Sequence, residues 1–174
     1  MAVQEPMVVY PEEQFQRAIL SVLTDILNAS GQQFILLKGF GLDIAVFIGR
    51  QSDAVARFIE VKAFGAQRMG GVGFGDGRGQ GPQVDLLLPS HESLALLSGI
   101  VRWVYADATQ PVGSCRYCLF TCETAKAAAM GGVVRGKQNN LRISALRESL
   151  VDWSGLRTQI QEFLLGQESK AAAG

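Results

Sequence analysis

Apolar positions along the chain follow two periodicities, and the switches between them give an order of elements. From Pro11 to Asn28, Phe15, Ile19, Val22, Leu23, Ile26 and Leu27 recur at helical spacing behind a proline and two acids, which predicts an amphipathic helix. Ser30 and Gly31 end it. Phe34 to Lys38 reads as a short strand, closed by a bend at Gly39 to Gly41. Asp43 to Ile48 and Arg57 to Phe64 then predict two strands of a hairpin folded about Gln51 and Ser52. From Gly70 to Gly81 glycine takes nearly every second position, and no regular structure is expected there. Gln83 to Leu88 fits either periodicity. Pro89 to Leu97 reads as a capped helix start, Arg102 to Ala106 and Tyr117 to Thr121 as strands, and Thr124 to Met130 as a short helix. Leu141 to Ser144 reads as a further strand, and Val151 to Leu165 as a final amphipathic helix. The expected organisation is one domain over residues 1–166, with a glycine-rich loop at about 65–82 and a flexible tail at 167–174.

Charge interrupts this pattern in one place. An antiparallel hairpin of this length sets Asp43 directly across from Glu60, and side chains alternate along a strand, so Lys62 shares the face of Glu60. Directly opposed side chains are close neighbours, and opposed like charges destabilise a sheet. Ions in a half-buried strand cost several kcal/mol unless compensated, so the two acids call for a cation. Lys62 is one candidate and a divalent metal ion another. Glu12 falls on the apolar stripe of the first helix, whereas Glu13 lies off it, which turns Glu12 toward the same region. An acid at a helix start is also favoured by the helix dipole alone.

Composition narrows the partners. The chain has 174 residues, 48% of them hydrophobic, with sixteen basic and sixteen acidic residues. Overall charge therefore offers nucleic acid no attraction, and any affinity must come from a local basic surface. The first residues lack a secretory leader pattern, and no apolar run reaches the roughly 20 residues of a membrane span. A cytoplasmic location is expected. The three cysteines, Cys115, Cys118 and Cys122, lie too close together for a disulfide framework. Their spacing admits an iron–sulfur or zinc site, with His91 the one histidine available, but small buried hydrophobes on a strand explain them better.

A helix bearing an acid, a strand, a bend, an aspartate at the start of a second strand and Glu60-Val-Lys62 on a third resemble the PD-(D/E)XK nuclease superfamily, the restriction-endonuclease-like fold. Gly41-Leu-Asp43 stands where that motif has Pro-Asp. The resemblance covers roughly Glu12 to Thr121. It implies an α/β fold with an αβββαβ core and a central mixed sheet flanked by helices. It also implies a metal-dependent endonuclease that hydrolyses phosphodiester bonds in DNA, in a restriction, repair, recombination or mobile-element setting. Asp43, Glu60 and the backbone carbonyl of Val61 would hold Mg²⁺ or Mn²⁺, Lys62 would act beside the attacking water, and Glu12 would correspond to the acid some members place on their first helix. The helix expected after the Lys62 strand is displaced by the glycine-rich segment to about Pro82 or Ser90, and Gln83 would stand near the site.

Further residues suit contact with nucleic acid: Arg68 and Arg78 in the glycine-rich segment, and Arg135, Lys137 and Arg142 around Gly136 and Asn139-Asn140, although solvated loop charges explain that second group about as well. The glycines lack both the preceding strand and the Gly-Lys-Ser/Thr ending of a nucleotide loop. Cutting two strands with one site per chain invites a homodimer. The alternative is a nuclease-like fold without catalysis that binds nucleic acid or a partner protein.

Overall fold

The computed structural model describes residues 10–39, 42–64, 71–74, 80–88 and 91–166. The tail at 167–174, Arg68, Arg78 and most of the glycine-rich segment lie outside the described residues, as do Phe40 and Gly41 of the bend.

Helix α1 spans Glu12–Ser30 and buries Phe15, Ile19, Val22, Leu23, Ile26 and Leu27, the stripe read from the sequence. It stops at Gly31, whose left-handed φ of 70° lets its N–H close back onto the carbonyl of Asn28. Three strands follow: β1 (Phe34–Lys38), β2 (Ile44–Ile48) and β3 (Val55–Phe64). They form an antiparallel meander in which Ile44 faces Ile59 and Ile48 faces Val55. Gly49, at φ 110°, and a short 3-10 turn over Gln51–Asp53 make the connection between β2 and β3.

Strand β4 (Gly71–Phe74) lies within the segment expected to be irregular. It pairs antiparallel with β7 (Asn139–Arg142), so backbone hydrogen bonds to a distant strand give order that glycines cannot signal through side-chain pattern. The ambiguous stretch after it is helical, as α2 (Pro82–Leu87), and α3 (His91–Ile100) follows. Strand β5 (Val101–Asp107) runs parallel to β3, and β6 (Tyr117–Phe120) runs antiparallel to β5. The cysteine run is therefore not a single strand: Cys115 precedes β6, Cys118 lies in it and Cys122 opens α4 (Cys122–Ala128). The Thr121 hydroxyl caps α4, and the Asp152 carboxylate caps α5 (Trp153–Leu165).

The result is an α/β structure built on a five-stranded mixed sheet, ordered β1-β2-β3-β5-β6, whose only parallel pair is β3 with β5. Helices α1 and α5 cover one face, packing on Ile44, Val46, Ile59, Val61 and Val104. The other face carries Val101, Trp103 and Tyr105 beneath Val84 and Leu87 of α2 and Ala125 and Ala128 of α4. Alternation along β3 sends Ile59 and Val61 to the first layer and Glu60 and Lys62 to the second. Among the described residues no helix is long and apolar enough to cross a membrane.

Candidate functional site

Strand β3 outruns its neighbour. It pairs with β5 as far as Phe64, but β2 begins only at Ile44, across from Ile59. The edge of β3 beyond Ile59 is left without a strand beside it, and buried N–H groups there need acceptors. Carboxylates supply them. Val61 N–H donates to Asp43 Oδ2 at 2.8 Å, and Ala63 N–H donates to Glu12 Oε2 at 3.1 Å.

The hairpin register continues from Ile44 and Ile59 to bring Asp43 across from Glu60, and the Asp43 N–H donates to Glu60 Oε2 at 3.2 Å. Glu60 is 1% exposed. Its Oε1 meets Lys62 Nζ at 2.8 Å and also accepts from Gln83 Nε2 on α2. Gln16 Nε2 donates to Asp43 Oδ1 at 2.9 Å and reaches Glu12 Oε1 at 3.5 Å, so one amide spans two of the acids. Glu13, by contrast, is exposed and pairs with Arg17 and Lys38.

The cluster thus holds three carboxylates, one ammonium and two amides. Burial, helped by the charge of Asp43, pushes the Glu60 carboxyl up to about 7 against the pull of Lys62. Burial likewise raises Glu12, opposed by Lys62 and the Ala63 N–H. For Lys62 burial acts downward and is the largest single influence, but Glu60, Glu12 and Asp43 together raise it. One ammonium serving three acids accounts for both directions: Lys62 stays charged, and Glu60 is the acid left short of compensation.

Asp43, Glu60, Lys62, Glu12, the Val61 backbone and Gln83 are therefore brought together. Arg135 and Lys137 sit on the exposed loop after α4, where Arg135 pairs with Asp85 of α2 at 2.8 Å. Gln16 had no signal in the sequence beyond its place one helical turn after Glu12.

Among the described residues, no group of three or more His, Cys, Asp or Glu side chains is arranged to hold a metal ion. The smaller donor set suits a hard cation nonetheless. Both oxygens of Asp43 and Glu60 Oε2 each accept one hydrogen bond from described residues, which leaves each a further lone pair. In a strand the C=O and N–H of one residue leave by the same edge, so the Val61 carbonyl points toward Asp43. Two carboxylates and a carbonyl are the kind of ligand set that Mg²⁺ uses while keeping waters.

The cysteines are arranged otherwise. All three are buried free thiols, Cys115 in the layer under α1 and α5, Cys118 and Cys122 in the opposite layer. Burial raises each thiol, Cys118 to about 11, which disfavours the thiolate that binds metal.

Comparison of the chain with protein-family models, with curated proteins and with solved structures finds no match.

Proposed function

We propose that the protein is a metal-dependent nuclease of the restriction-endonuclease-like fold that hydrolyses phosphodiester bonds in DNA, with Mg²⁺ or Mn²⁺ as cofactor. The observation that carries this reading is the buried Glu60 carboxyl, which accepts from the Asp43 N–H at 3.2 Å, lies in the field of the Asp43 charge and is joined to Lys62 Nζ at 2.8 Å. A fold that places opposed acids at an open strand edge, with one ammonium paired to Glu60, leaves charge for a cation to balance. The order of α1, β1, β2 and β3, then β4, α2 and α3 before β5, with β5 parallel to β3, is compatible with the same fold family once β4 is taken as an insertion.

Asp43, Glu60 and the Val61 carbonyl would hold the metal ion, which supplies Lewis-acid polarisation of a phosphoryl oxygen and a lowered water pKa. Lys62 stays protonated, so its role is donation: Nζ hydrogen-bonds a phosphoryl oxygen as negative charge builds there, while Glu60 Oε1 fixes its position. Gln83 holds the same oxygen from the α2 side, and Gln16 orients Asp43. Glu12, tied to the Ala63 N–H, lies at the edge of the cluster as a further acceptor.

A cleavage assay on supercoiled and linear DNA with Mg²⁺, Mn²⁺ or EDTA tests this. Wild type cuts only with metal, and Asp43→Ala and Lys62→Ala each lose about a thousandfold or more. Metal-dependent cutting that survives both changes would remove the assigned roles. The second reading, a binding module without catalysis, draws on the protein donors that each oxygen of Asp43 and Glu60 already has. It predicts DNA binding with no cutting in any metal.

A further inference from the structure

The chain is neutral as a whole, but its charges are segregated. Between Glu123 and Glu148 the sequence holds Lys126, Arg135, Lys137, Arg142 and Arg147 and no acidic residue. This stretch runs from α4 through a loop into β7 and on to the 3-10 turn at Arg147–Ser149. Arg135, Lys137, Arg142 and Arg147 are all exposed.

The loop carrying Arg135 and Lys137 is clamped from beneath. Asn139, 2% exposed, accepts from the Val134 N–H at 2.8 Å and donates to the carbonyls of Val134 and Lys137 at 3.0 and 2.9 Å. A buried amide satisfied wholly by one exposed loop fixes the backbone from which both cations project.

Two connections tie this surface to the acidic cluster. On α2, Gln83 donates to Glu60 while Asp85, two residues on, holds Arg135 at 2.8 Å. On the other side, Tyr105 is the β5 partner of Lys62, and it shares a buried layer with Leu146, the residue before Arg147. The basic stretch is thus tied to α2, the helix that bears Gln83, and to the layer that holds Tyr105.

We propose that Arg135, Lys137, Arg142 and Arg147 form the surface that holds the phosphate backbone of a nucleic acid beside Glu60 and Lys62. Regularly repeated single negative charges are the ligand this acid-free stretch of arginine and lysine complements, through phosphate contacts that release counterions. The proposal rests on the hydrolytic reading for the identity of the site it feeds, and its test measures binding apart from cutting.

The test is fluorescence anisotropy in EDTA with a labelled duplex of about 20 base pairs, as DNA and as RNA of the same sequence, between roughly 50 and 200 mM salt. The proteins are wild type, Arg135→Ala with Lys137→Ala, Arg142→Ala, Arg147→Ala, and Arg157→Ala on the exposed side of α5 as a control. The double variant weakens binding about tenfold or more and each single one about three- to tenfold. The slope of log affinity against log salt shrinks by about one per charge removed. Arg157→Ala binds as wild type. Comparing the DNA and RNA arms tells which backbone is preferred. Equal binding by all variants, equal loss in Arg157→Ala, or adsorption of wild type to anionic lipid vesicles but to neither duplex would each overturn the proposal. If the duplex is held through these residues but no metal supports cutting, the surface stands and the hydrolytic reading fails. If cutting needs Asp43 and Lys62 while the four arginine and lysine changes leave binding intact, the surface fails alone.

Discussion

Strand β3 buries two ions of opposite sign, three residues apart and on opposite faces of the sheet, and the protein treats them differently. Arg57 is 3% exposed. Its Nε donates to the carbonyl of Phe163 at 3.2 Å, Nη1 donates to the Ala56 carbonyl, and the guanidinium lies 5.6 Å from the centre of the Phe163 ring. Burial holds the Arg57 guanidinium below its usual value, and the carbonyl end of α5, negative by its dipole, offsets part of that cost. Glu60 is buried as deeply but faces another acid, and its one ammonium is shared with Glu12 and Asp43. Arg57 is a structural ion. Glu60 is an acid whose charge its described neighbours leave short of compensation, and that difference sets the two ends of the strand apart.

The comparison is open to test by removing charges, followed by urea unfolding in EDTA. The largest effect is expected for Lys62→Met, which strands three carboxylates without their ammonium and costs about 3–5 kcal/mol. Arg57→Met comes next, at about 2–3 kcal/mol, because the Phe163 and Ala56 carbonyls lose a charged donor, while the Phe163 ring keeps the Arg102 guanidinium 4.5 Å from its centre. Glu60→Gln runs the other way. Above pH 7 it relieves the opposed acids and stabilises the metal-free protein by about 1–2 kcal/mol. A loss of stability on that change would place Glu60 with Arg57, as an ion the fold already satisfies.

The last test is one of pH, and it reads the same carboxyl. The Glu60 carboxyl is raised from 4.5 to about 7, so its favourable contribution is complete below its unfolded value and is lost as pH rises through its folded one. Wild type should lose on the order of 1–3 kcal/mol relative to Glu60→Gln between pH 4.5 and 7, the range those two values set. Parallel pH profiles for the two proteins would show that burial does not hold the proton.

What the sequence made legible followed from local pattern. The α1 stripe and the β2–β3 hairpin carry their own periodicity, and a hairpin with one buried face admits one register, so the meeting of Asp43 and Glu60 is written into the spacing of the two strands. Glu12 was readable for the same reason, since Phe15 and Ile19 orient the helix that bears it. Strand β4 was hidden because its partner β7 lies far along the chain and its glycines give no alternation. Gln16 was hidden because its role depends on how α1 docks against the start of β2, a tertiary relation absent from either segment alone. Arg147 was hidden likewise, for its place depends on Leu146 packing in the layer that holds Tyr105.

The most direct measurement is Mg²⁺ titration calorimetry above pH 7 on wild type, Asp43→Ala and Glu60→Gln. The account predicts one metal site in wild type, weakened at least tenfold in either variant, with a matching metal-dependent rise in the unfolding midpoint of wild type alone. Absence of binding by wild type, or equal binding by all three proteins, would contradict it.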